Sequence, residues 1–217
     1  MKSLQQQTFH NSKPHHWLLR SARIVSGVFR PVYFPVVGVA LLFQFTFLSI
    51  FPMWMQLMVL GLVAMGTLVL PRLTIRLWRK LNGLELHMLR HRQMRFFPYI
   101  VHLVFYAITL YYIERIHLLP YVAGIIIGAM LIQAACTLVN LFWKVSSHCA
   151  GAGGITGALI AYSLVLHFDA IWWLCLSVIL QGVVGSSRML LRQHTLAQVV
   201  GGALIGLVCG FLGFLIS

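Results

Sequence analysis

The chain has 217 residues, of which 60% are hydrophobic and only 9% charged, and its mean hydropathy of +0.89 lies far outside the range of soluble proteins. Its three acids, Glu85, Glu114 and Asp169, are too few for a paired-carboxylate glycosidase, an aspartic dyad or the carboxylate cage of a magnesium site. Acid–base chemistry therefore falls to the ten histidines, and the formal charge of +13 suits anionic headgroups or phosphate substrates rather than cationic ligands.

Residues 1–30 read as a basic N-terminal segment, with Lys2, Lys13, His15, His16, Arg20 and Arg23 spread among polar residues. It lacks the short apolar core and small-residue cleavage site of a signal peptide. Residues 31–217 read as a single transmembrane domain. A spanning helix needs about 20 mostly apolar residues. Runs of that kind are expected near Val32–Phe51, Trp54–Leu70, Tyr99–Ile113, Tyr121–Trp143, Gly151–His167, Ile171–Val184 and Leu196–Ile216. The runs near 99, 151 and 171 are short and should extend into their flanks. Pro52 and the Leu119–Pro120 pair mark turns. The fold class is thus an all-α integral membrane bundle of six to seven helices.

Counting spans assigns loops to faces. The N-terminal segment and the loops near 71–98, 144–150 and 185–195 share one face, which carries fifteen Lys and Arg residues, while Arg115 alone lies on the other. The positive-inside rule would make the basic face cytoplasmic. A bacterial inner membrane is the expected location, with the side of the site left open. Cys136, Cys149, Cys175 and Cys209 form no CxxC pair and suggest neither a disulfide framework nor a metal site.

The three inter-span loops of the basic face hold Arg92-x-x-Arg95-x-x-Pro98, then Lys144-Val145-Ser146-Ser147-His148, then Ser187-Arg188 followed after five residues by His194. Guanidinium forks bind non-bridging phosphate oxygens, one imidazole can attack phosphorus, and another can protonate the departing alkoxide. Converging guanidinium charge makes a metal or other cofactor unnecessary. The expected partners are a phosphorylated membrane lipid and the bilayer itself, with no nucleic acid.

The last two loops resemble the second and third signatures of the type 2 phosphatidic acid phosphatase superfamily, PSGH and SRxxxxxHxxxD. Val145 replaces the Pro and Ser147 the Gly of the second signature. Ser187, Arg188 and His194 keep the spacing of the third, with Gln198 in place of Asp. The first signature, KxxxxxxRP, is matched by Arg90 and Pro98 with Phe97 at the Arg position, so the phosphate contacts are placed on Arg92 and Arg95. The likeness extends over residues 24–216 and suggests a short, divergent bacterial branch. It implies a metal-independent lipid phosphatase with His194 as nucleophile, His148 as general acid, and Arg188, Arg92, Arg95, Lys144, Ser146 and Ser147 around the phosphate. Backbone amides at the Gly151–Gly154 helix start would add hydrogen bonds. Gln198, one turn beyond the nucleophile, would orient its ring without supplying charge.

Two other classes stand beside this reading. A non-catalytic lipid-phosphate-binding or transport protein would explain Gln198. A haem protein using His102 with His148 or His194 would need a second His deep in a facing span.

Overall fold

The computed structural model describes residues 16–45, 47–83, 96–116, 120–167 and 169–217. Among them, seven helices are long and apolar enough to cross a membrane, beginning with His16–Gln44 and ending with Leu196–Ile216. All of the regular structure described is helical. The protein is an all-α integral membrane protein; six of the expected apolar runs lie along one of these helices, while the first, Val32–Phe51, is displaced, its span lying at His16–Gln44.

The chain opens with α1 (His16–Val28), which passes through a 3-10 turn at Pro31–Tyr33 into α2 (Phe34–Phe45). Helix α1 belongs to the segment set apart in the sequence as basic, yet it packs along a later helix of the bundle. Ala22 and Ser26, one turn apart, form its buried face, while Arg20 and Arg23 are exposed.

The second span is longer than its apolar run. Helix α3 (Met53–Ala64) continues through a π turn at Met65–Val69 into α4 (Leu70–Leu81), although Pro71 should end it. Proline removes one backbone donor and crowds the carbonyl four residues back; the π turn absorbs that crowding just ahead of the ring. The Thr67 hydroxyl donates to the Val63 carbonyl at 2.7 Å within this turn. Helix α4 then carries Arg72, Arg76, Arg79 and Lys80 out of the apolar zone, Arg72 lying over the Tyr33 ring at 4.8 Å.

Next come α5 (Phe96–Arg115), α6 (Pro120–Phe142), α7 (Ser147–Leu166), α8 (Ile171–Leu190) and α9 (Leu196–Ile216). The spans beginning near 99 and 151 and the span at 171 do extend into their flanks, taking in Phe96, Ser147–His148 and Arg188. Helix α7 is the hub, packed on α6, α8 and α9.

The α7–α9 contact is close because both faces are lined with small residues. A methyl group added at Gly153 or Gly157 would strike the Ala203 or Leu207 carbonyl, and one at Gly206 or Gly210 would strike the backbone of α7. Lipid gives apolar helices no hydrophobic reason to associate, so backbone-to-backbone van der Waals contact supplies the attraction. The glycines of 151–154 are therefore helix-packing residues, and Gly151 itself sits against the Phe34 ring. The anion cradle expected there is not formed, because α7 has already begun four residues earlier.

Candidate functional site

Three of the expected residues meet at one end of the bundle. His148 lies in the first turn of α7 and is acted on electrostatically by Arg188, His194 and Arg30, while its ring hydrogen-bonds the Ser26 backbone. Arg188 comes from the last turn of α8, and one of its guanidinium nitrogens, Nη1, donates to the Ser26 hydroxyl at 2.6 Å. Its Nε is buried without a partner among the described residues.

Local backbone structure explains the spacing of Arg188 and His194. Helix α8 closes with Leu191 N–H on the Ser187 carbonyl, Arg192 N–H on Met189 and Gln193 N–H on Arg188. Arg192 adopts the left-handed conformation at φ 52°, the usual reversal at a helix C-terminus. The chain turns back there, so that His194 arrives just before α9.

Helix α9 opens with a capping box in which Thr195 and Gln198 satisfy each other's backbone. The Gln198 amide oxygen accepts from Thr195 N–H at 3.2 Å and also lies 3.2 Å from Nδ1 of His194. Because Thr195 N–H requires an acceptor, the oxygen end of the amide faces the ring. Nδ1 then carries the proton and Nε2 is the unprotonated ring nitrogen. Gln198 thus touches the His194 ring and also starts its helix.

The two signature loops are tied together directly. Lys144 Nζ donates to the Gln193 carbonyl at 2.8 Å, and Ser146 N–H donates to the Gln198 carbonyl at 3.2 Å. These ties alter the reading of two phosphate-binding candidates. Lys144 is exposed and clasps the neighbouring loop. Ser146, at 0% exposure, caps α7 by accepting from Cys149 N–H at 3.4 Å and donates to the Cys149 sulfur at 3.2 Å. Its hydroxyl is engaged in starting the helix rather than turned to a phosphate. Ser147 is half-buried beside His148 in the first helical turn. Arg92 and Arg95 lie outside the described residues.

Sequence reasoning missed Ser26 and Arg30. Ser26 is 9% exposed and serves both His148 and Arg188, while Arg30, at the entry to the Pro31–Tyr33 turn, is an additional cation near His148. The available signal was the helical spacing of Ala22, Val25, Ser26 and Phe29; Val25 and Phe29 pack against Cys149, Val184 and Val199. His102 stands apart, with Nδ1 2.7 Å from the Pro98 carbonyl and Arg72 close to it.

No acid offsets this cationic cluster among the described residues. Glu114 and Asp169 belong to the opposite end, at the close of α5 and in the α7–α8 connection. Nor do three His, Cys, Asp or Glu side chains among the described residues converge to hold a metal. Cys149 is fully buried in an apolar cluster with Val184 and Val199, where a thiol acts as a small hydrophobe.

Compared with protein-family models, curated proteins and solved structures, the chain matches none. The cationic cluster is consequently read from its own chemistry.

Proposed function

We propose that the protein is a membrane lipid phosphatase that hydrolyses a phosphomonoester or pyrophosphate through a phosphohistidine, as its resemblance to the type 2 phosphatidic acid phosphatases implies. The observation that carries this reading is that Arg188 and His148 both bond Ser26, with His194 and Arg30 within electrostatic reach of His148 and no acid beside them among the described residues. Uncompensated positive charge at the edge of an apolar medium is costly, and an anion is the ligand that offsets it. The buried Nε of Arg188 supplies a donor for such a ligand, while Nη1 is held by Ser26.

In the proposed reaction, Nε2 of His194 attacks phosphorus and the bond to the lipid oxygen breaks. His148, protonated once the anionic phosphate sits beside it, gives its proton to that oxygen. Water then attacks the phosphohistidine, His148 takes a proton from the water, and the P–N bond breaks to release inorganic phosphate. Arg188, with Arg30 behind it, stabilises the charge on the equatorial oxygens.

Phosphate release from phosphatidic acid, phosphatidylglycerol phosphate, polyprenyl pyrophosphate and lipid A should be measured with purified protein in detergent containing EDTA. Release from at least one is expected. A second reading, phosphate-lipid binding without turnover, is favoured by the neutral amide of Gln198 where the related signature has a carboxylate. Stabilisation by dodecyl phosphate without release from any lipid would select it, and neither effect would reject both readings.

Gln198 offers a separate test. Its side chain reaches back along the first turn of α9, and Glu has the same length and also suits a capping box. Gln198→Glu should retain the bond to Thr195, gain from a carboxylate near a helix N-terminus and stabilise positive charge as His194 is phosphorylated. A charge-assisted hydrogen bond is roughly twice as strong as a neutral one, so a rate gain of about tenfold at pH 8 is expected. A folded Gln198→Glu protein with no gain would show that ring orientation and charge at this position do not limit the reaction.

A further inference from the structure

An apolar cavity of about 390 Å³ lies beneath the cationic cluster. Phe29, Ala152 and Val184 line its upper end and lie three or four residues from Ser26, His148 and Arg188, about one helical turn from the site. Its lower end is aromatic. Tyr162 and Phe214 meet edge to face there, with ring centroids 5.4 Å apart, and Tyr106 completes the floor. Between Ala152 and Tyr162 the axis of α7 rises roughly 15 Å, so the cavity extends well into the apolar zone.

Protein interiors hold few voids larger than a water molecule, and a void of this size with apolar walls selects an apolar occupant. The cavity's depth of roughly 15 Å matches one extended aliphatic chain of about a dozen carbons. The side walls indicate a route in. Helices α2 and α8 both pack on α7 but not extensively on each other. Val37 and Leu176, one from each helix, line the cavity and are 44% and 45% exposed.

We infer that this cavity takes a single hydrocarbon chain of the phosphorylated lipid, entering sideways from the bilayer between α2 and α8, with its phosphate at the cationic end. The inference rests on reading that end as a phosphate site and adds the tail specificity. A chain moving from bilayer to cavity exchanges one apolar environment for another. The cavity consequently governs which chain lengths leave the phosphate beside His194 more than how tightly the lipid is held. Chains too short to reach the Tyr162–Phe214 floor leave space unfilled, and chains that overfill it must bend back out through the lateral gap.

The test uses straight-chain alkyl phosphates from butyl to octadecyl, each with a photoactivatable diazirine at the terminal carbon, on the full-length protein in detergent. Dodecyl phosphate is expected to label residues toward the cavity floor, around Ala158, Tyr162 and Phe214. Ala158→Phe on α7 and Leu180→Trp on α8 should each lower dodecyl labelling at least fivefold, change butyl labelling less than twofold and move the preferred length downward. Unaltered thermal stability identifies a variant that has kept its fold. Labelling confined to the outer surface, near Val178, or a length profile unmoved in both folded variants, would overturn the proposal. Phosphate release measured alongside keeps the two readings distinct. A protein that labels in the cavity but hydrolyses nothing retains the tail site and loses the enzyme, whereas hydrolysis with labelling outside the cavity does the reverse.

Discussion

His194→Ala is expected to lower lipid phosphate hydrolysis at least about a thousandfold, because the covalent route disappears with its nucleophile. Binding of inorganic phosphate should change only severalfold, since Arg188, Arg30 and His148 remain. Arg188→Ala should differ in kind, lowering turnover about 10²- to 10³-fold and weakening phosphate binding as well. Arg188→Lys restores the charge but not the planar fork that bonds Ser26 through Nη1 while aiming Nε elsewhere, so rescue should be partial. Turnover and phosphate affinity, measured on the same preparations, separate the roles. A folded His194→Ala protein that keeps more than a tenth of its activity would remove the phosphohistidine from the mechanism.

The fold was legible where hydrophobicity alone decides structure. Six of the seven apolar runs lie along a membrane-length helix, the first span being displaced to His16–Gln44, and Pro120 opens α6 where a turn was expected. What escaped depends on partners that one segment cannot reveal. The Gly-rich stretch at 151–154 suggested a helix start, but Ser146 caps the chain earlier and the glycines serve contact with α9. The second apolar run stops at Leu70, but the π turn ahead of Pro71 lets the helix continue to Leu81. Helix α1 was hidden by its charges, because a basic amphipathic helix and a basic tail differ only in the spacing of a few small residues.

At the site, the residues with a fixed spacing were the ones legible in sequence. Arg188 and His194 are held apart by a helix end and a left-handed residue, and His194 and Gln198 are one turn apart, so short-range geometry preserves both relations. Ser26 lies 162 residues from Arg188, a separation across which no local pattern operates. Ser146 was given a phosphate role by the resemblance, and Lys144 by its place two residues before that serine. Their polar atoms were claimed by backbone groups left open where a helix starts and a loop closes.

Loss of His148 should depend on the leaving group, and that dependence distinguishes an acid from a merely structural neighbour. An alkoxide leaving a lipid phosphate needs a proton, and general-acid help is worth about 10²- to 10⁴-fold. Nitrophenolate leaves readily without one, so in His148→Ala the first turnover of p-nitrophenyl phosphate should slow less than about tenfold. Steady-state rates would obscure this, because His148 is also proposed to take the proton from water when the phosphohistidine is hydrolysed. With that step impaired, the variant should release nitrophenol in a burst of about one equivalent per protein and then stall as the phosphoenzyme. A lipid monoester should give no such burst. His148 also holds the Ser26 backbone, so a purely structural loss would loosen Arg188 and slow the first turnover of both substrates alike. Equal slowing in that first turnover would assign His148 to positioning and leave the acid to another group.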